Sequence, residues 1–115
     1  MTQKEVRKLP PEVVEGLAPH QQRALDHPIR RQILRVLSRN ARAQTLAEIS
    51  EGTPGAGVST IGYHLLVLEE CAFVSVSGVL TGPGDAERHF ASNVADNRVV
   101  MTALKQTQEL DEIDR

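Results

Sequence analysis

The sequence predicts a mainly helical domain carrying one small β-hairpin, and three observations carry that prediction. Behind Pro28, the residues Ile29, Ile33, Leu34, Val36 and Leu37 recur at helical spacings. Residues 59–68, Ser-Thr-Ile-Gly-Tyr-His-Leu-Leu-Val-Leu, put Ile61, Leu65 and Leu68 on one stripe and small polar residues opposite. Residues 73–80 alternate well enough for a strand, and Thr81-Gly82-Pro83-Gly84-Asp85 reads as a hairpin tip.

The elements follow in order along the chain. Residues 1–8 have no periodicity and mixed charge, the pattern of a flexible arm. In Leu9 to Leu17 Pro11, with acids behind it, suits a helix start and Gly16 its end, giving one or two turns. Pro19 opens a second short piece running to Asp26. Pro28 sits at the first turn of the next helix, where a missing N–H costs nothing, and Asn40 is a suitable stop. Arg30, Arg31, Arg35 and Arg39 fall mostly on the side away from the aliphatic face, and Asp26 stands at ion-pair spacing from Arg30.

Thr45-Leu46-Ala47-Glu48 has the spacing of a capping box, which satisfies two free N–H groups at a helix start. Gly52 ends that helix, and Thr53-Pro54-Gly55-Ala56-Gly57 is a turn. Ser59 or Thr60 is expected to cap the following helix. Ala86 to Ser92 is the returning strand, and from Ala95 onward the chain is helical again, with Val99, Val100, Ala103, Leu104 and Leu110 on one face.

The bulk numbers bound the function. A chain of 115 residues, 40% hydrophobic and 24% charged, is one ordinary globular domain with a modest core. No apolar run reaches membrane-spanning length and the N-terminal residues lack the apolar segment of a signal peptide, so the expected location is the cytoplasm. The single cysteine, Cys71, offers neither an intrachain disulfide nor a metal pair. The net charge of −2 hides an asymmetry: residues 1–44 hold nine Lys/Arg against four acids, and residues 45–115 hold four against eleven. It is the local field that attracts phosphate.

Chemistry-bearing residues point to binding. Ser59, Thr60 and Tyr63 occupy the early turns of their helix, the end that a recognition helix inserts into the major groove, and their hydroxyls can bond phosphates or base edges. No Lys or Arg lies in that helix; a plain amphipathic surface helix fits its periodicity as well. His64 stands at the margin of the stripe, compatible with a buried imidazole or with a DNA contact. Arg30, Arg31 and Arg35 could neutralise phosphates or simply be solvated. Arg88 and His89, near the hairpin tip, are placed to touch flanking backbone. No phosphate loop, serine elbow, metal-ligand spacing or paired acid–base arrangement is present, and Glu69 and Glu70 discourage a thiolate at Cys71. Neither catalysis nor a cofactor is expected.

Taken together, Ala24-Leu-Asp-His-Pro-Ile-Arg-Arg-Gln-Ile-Leu34, Leu46-Ala-Glu-Ile49, Ser59-Thr-Ile-Gly-Tyr-His-Leu-Leu-Val-Leu68 and Glu69-Glu-Cys-Ala-Phe-Val74 resemble a winged helix-turn-helix regulator of the ArsR type, over about residues 20–92. The resemblance implies a three-helix core with a two-stranded wing, flanked by terminal helices that form a dimer interface. The implied domains are an N-terminal arm and short helix over 1–18, the DNA-binding domain over 19–94 and a dimerisation helix over 95–115. It implies a cytoplasmic repressor that binds palindromic double-stranded DNA as a homodimer, under a small-molecule or protein effector. Ser59, Thr60, Tyr63 and His64 would enter the major groove. Arg31, Arg35, Arg88 and His89 would hold the backbone, and Val100, Leu104 and Leu110 would face the partner subunit.

The chain departs from the family pattern in places. The turn from Gly52 to Val58 is longer, Gly62 stands where a serine is common, and Leu66 stands where a lysine often does. The cysteines and Asp/His pairs of the family's metal sensors are missing, so a metal role is not implied. A winged interaction module that has lost DNA affinity is the alternative, favoured by the acidic second half.

Overall fold

The computed structural model describes residue 9 and residues 11–40, 42–82 and 85–113. The expected N-terminal arm, and Pro83 and Gly84 of the hairpin tip, lie outside them. A 3-10 turn at Pro11–Val13 precedes α1 (Pro19–Leu25), α2 (Pro28–Arg39), β1 (Gln44–Thr45), α3 (Leu46–Glu51), α4 (Val58–Glu70), β2 (Val74–Gly82), β3 (Asp85–Ser92) and α5 (Arg98–Ile113).

Local chemistry explains most boundaries. In α2 Pro28 holds the first helical position while the His27 ring accepts from the Ile29 N–H at 3.2 Å. At the other end Asn40 Nδ2 donates to the Val36 carbonyl at 2.6 Å. The capping box of α3 is complete: Thr45 Oγ1 accepts from the Glu48 N–H at 3.2 Å, and Glu48 Oε1 accepts from the Thr45 N–H at 2.9 Å. The turn after α3 passes through Gly55 at φ +93°, a conformation open to glycine. Thr53 steadies that turn from inside by donating to the Ile49 carbonyl at 2.9 Å.

The start of α4 differs from expectation. The helix opens at Val58 behind Gly57, which offers no side-chain cap, so Ser59 and Thr60 lie inside the first turn with their side chains exposed. At its far end, Ala72 takes φ +64°, the Ala72 N–H reaches the Glu69 carbonyl, and the Phe73 N–H reaches that of Leu68, both at 3.0 Å. This is a Schellman stop, and it turns the chain directly into β2.

The sheet has the antiparallel order β1-β3-β2. The β2–β3 pair is the expected hairpin. The two residues of β1 were not expected; Gln44 pairs with Phe90 and Thr45 with His89, which ties the start of α3 to the wing. One continuous core joins the layers, built on Leu25, Ile33, Leu34, Leu37, Ile49, Ile61, Leu65, Leu68, Phe73 and Phe90. The chain is mainly helical with a small three-stranded antiparallel sheet, an arrangement consistent with a winged helix-turn-helix.

The last helix corrects two expectations. It begins at Arg98 rather than Ala95, because Asn97 Oδ1 accepts the Val100 N–H at 3.1 Å and acts as its cap. Its apolar face packs inward on α2 and the N-terminal 3-10 turn. Val100 and Leu104 are therefore buried in the chain's own core, not presented to a second subunit. Leu110 alone of the three is exposed, at 38%. No described helix is long and apolar enough to cross a membrane.

Candidate nucleic-acid interface

The outer face of α4 is open to solvent. Ile61, His64, Leu65 and Leu68 anchor it from behind, while Val58, Ser59, Thr60, Tyr63, Leu66 and Glu70 are exposed. Tyr63 leaves 60% of its surface in solvent. The helix is held rigidly by its back, so these side chains project from a fixed platform.

His64 lies on the wrong side of that helix to reach a groove. It is 5% exposed, with its ring 4.3 Å from that of His27 and 5.2 Å from that of Tyr63. Burial, then the neighbouring His27 and Arg30 charges, push its pKa down to about 4. It is a neutral core imidazole, and its Nδ1 has no hydrogen-bond partner. The expectation of a DNA contact is corrected to the buried alternative.

Arg31 and Arg35 are corrected as well. Both side chains turn inward, and Arg31 is 0% exposed. Its Nε and Nη2 donate to the two carboxylate oxygens of Asp111 at 2.9 and 2.7 Å, and its Nη1 donates to the Leu25 carbonyl at 2.7 Å. Arg35 reaches the same carboxylate through Nη1 at 2.8 Å, and its Nη2 donates to the Leu104 carbonyl at 2.9 Å and to Thr107 Oγ1 at 2.7 Å. These arginines hold α5 to α2; neither can meet a phosphate without breaking that network.

Other cations flank α4 instead. Arg23 of α1 and Arg30 of α2 border a cleft shared with Tyr63, Val67 and Glu70. Neither makes an ion pair among the described residues, and the spacing to Asp26 is not used: the Asp26 carboxylate accepts from the Leu9 N–H at 3.4 Å. Arg23 carries no distinguishing signal in the sequence, and Arg30 reads there both as a phosphate candidate and as a local pair with Asp26. Only the approach of α1 and α2 to the side of α4 brings them beside Tyr63.

On the opposite side stands the wing. The Arg88 side chain is 61% exposed, 3.5 Å from Glu69 Oε1 on α4 and 5.7 Å above the Phe90 ring. His89 is half-buried on the same strand, opposite Thr45 and Ser77. Between wing, α3 and α4 lies a cleft of about 310 Å³ lined by Leu46, Ala47, Gly62, Leu65, Leu66 and Phe90. Arg42 beyond it pairs with Glu48 at 2.8 Å; that hydrogen bond, with the Thr45 N–H, holds the Glu48 carboxyl down at about 2.

Cys71 is buried, with its thiol pushed up chiefly by desolvation, and no cluster of three metal-binding side chains forms among the described residues.

Residues 25–76, which run from the end of α1 through α4 into β2, match a family model described as a helix-turn-helix domain. The match covers less than half of the chain and supports a DNA-binding regulator of helix-turn-helix type. No curated protein matches the chain, and no solved structure does.

Proposed function

We propose that this helix-turn-helix chain is a cytoplasmic transcriptional regulator that reads double-stranded DNA through the exposed face of α4. Ser59, Thr60 and Tyr63 enter the major groove. Arg23 and Arg30 on one flank, and Arg88 and His89 on the other, meet the phosphates of the two strands that border it. The observation that carries the reading is this bracketing: an open helix face flanked by exposed Arg23 and half-buried Arg30 on one side and by Arg88, 61% exposed, on the other, with its back sealed in the core.

The finer reading is a repressor of the ArsR type, binding a palindrome as a homodimer and released by a small-molecule or protein effector. The sequence resemblance over residues 20–92 supports it. With Val100 and Leu104 occupied, the surface left for a second subunit is the outer side of α5 around Leu110. A dimer would set half-sites about one helical turn apart.

Titration of a nonspecific duplex across a salt series tests the core of the proposal. Binding should weaken with a clearly negative log–log slope; no binding at low salt overturns it. Sequences selected from random duplex should be palindromic, and Thr60→Ala with Tyr63→Ala should relax their base preference.

A second reading, a winged module that binds protein, is favoured by one observation. Arg42 and Arg88 are each already paired, with Glu48 and Glu69, on the face that would meet DNA. The same salt series separates the two readings.

A further inference from the structure

We infer that the groove-facing surface of α4 reads thymine, through the C5-methyl group, and not guanine or adenine through paired hydrogen bonds. The inference rests on the proposed DNA-binding function and names the base class that this site selects.

The first observation is a missing chemistry. Val58–Glu70 contains no Arg, Lys, Asn or Gln, the residues whose side chains make the two-pronged contacts that identify guanine or adenine. Ser59, Thr60 and Tyr63 can donate or accept singly, and a lone hydroxyl fits either partner at a base edge. Glu69 and Glu70, which could accept from cytosine, lie at the far end of the helix; along its first turns what remains for discrimination is apolar contact, and the major groove displays one apolar group, the thymine methyl.

The second observation is that the required apolar surface is present and in the open. The exposed large hydrophobic residues among those described are Val58 at 54%, Tyr63 at 60%, Leu66 at 51% and Leu110. Three of these four lie on α4. Val58, Gly62 and Leu66 follow at four-residue steps, one above another along the helix. A Cβ placed on Gly62 would meet nothing within 4 Å, so the middle of that row is open space. It continues into the cleft bordered by Leu46, Ala47 and Leu66. Exposed aliphatic surface collected on one face marks an interaction site.

The third observation is charge. Arg23 and half-buried Arg30 stand on one side and Arg88, 61% exposed beside Glu69, on the other, and a duplex is the occupant whose phosphates meet cations along both rims of the apolar row. A peptide helix would find those cations at the rim with no counterpart of fixed spacing. Affinity therefore comes mainly from the flanks, and Val58 and Leu66 add the choice of thymine to the single hydrogen bonds of Thr60 and Tyr63.

The full chain and four short duplexes test this: alternating A·T, the same duplex with deoxyuridine for thymidine, alternating G·C, and the same with 5-methylcytosine. Each substitution changes only the C5-methyl group. Loss of each methyl that is buried should weaken binding about fourfold, and 5-methylcytosine should strengthen the G·C duplex comparably. Leu66→Ala and Val58→Ser, both at exposed positions, should keep the thermal unfolding of the parent and reduce the thymine-to-uracil ratio toward one. Equal binding of thymine and uracil duplexes, with a salt slope still present, overturns the methyl readout and leaves DNA binding standing. A ratio that neither variant changes also overturns it. No salt-dependent binding to any of the four overturns both readings.

Discussion

Arg31 and Asp111, 80 residues apart, form a two-pronged buried ion pair at 2.9 and 2.7 Å, and it decides what the first long helix does. Arg35 closes on the same carboxylate at 2.8 Å, so two guanidinium groups share one acid. Such a network contributes little over apolar packing, but breaking it from one side is costly.

Asp111→Ala should therefore destabilise the fold by about 3–5 kcal/mol, because it removes the carboxylate that two buried cations share. Urea unfolding measures this. A loss below about 1 kcal/mol would mean that water reaches the pair. Burial alone would raise the Asp111 carboxyl, but the Arg31 and Arg35 hydrogen bonds and charges outweigh it and hold the carboxyl below its ordinary 3.8. A depressed carboxyl contributes stability that is present above the unfolded pKa and disappears as pH falls through the folded one. Asp111→Asn should flatten the stability curve below about pH 4.

His64 acts in a separate window. Its pKa falls from 6.5 to about 4, so between those values the unfolded chain binds a proton that the folded chain refuses. Stability then rises with pH across the window and is lost on acidification through it. The midpoint of thermal unfolding should drop between pH 6.5 and about 4. His64→Leu should remove part of that drop while leaving the limb attributed to Asp111. An unchanged profile would show that the imidazole is solvated.

Arg23→Gln and Arg30→Gln should each reduce the log–log salt slope of duplex binding by about one, and weaken binding evenly across sequences. Arg39→Gln is the control, since Arg39 lines the cleft between α2 and α5, away from α4. If Arg39→Gln weakens binding as much as the other two, the phosphates lie elsewhere.

Ala72→Gly should stabilise the protein by about 1 kcal/mol. Ala72 holds φ +64° at the Schellman stop, a region in which a Cβ is strained and glycine is not. Thermal unfolding checks this directly. A lower melting temperature would mean that the backbone entropy of glycine outweighs the relieved strain.

How much of this was legible in the sequence follows from the range of the forces involved. The capping box at Thr45 and Glu48, the proline at the head of α2 and the stop at Asn40 act within a few residues, and each was readable. So was the stripe of Ile61, Leu65 and Leu68, because periodicity alone puts it on one face. The two-residue β1 was not, since its reason is the register with Phe90 and His89 on a strand more than forty residues later. The missed cap at α4 has a local cause. Two hydroxyl residues follow Gly57-Val58, and sequence rules favour a hydroxyl as cap over the glycine that serves here.

The candidate site divides along the same line. The sequence by itself determined a helix-turn-helix with a hairpin, and an amphipathic second helix that carries hydroxyls and no cation. Only the tertiary structure decided which arginines are free. Arg30 and Arg31 are adjacent and locally equivalent, but a helix turns about 100° between neighbours. That rotation points Arg31 at Asp111, on an element absent from any local window, and leaves Arg30 beside Tyr63. A buried charge follows its counter-charge, and no periodicity can announce where in the chain that partner will be.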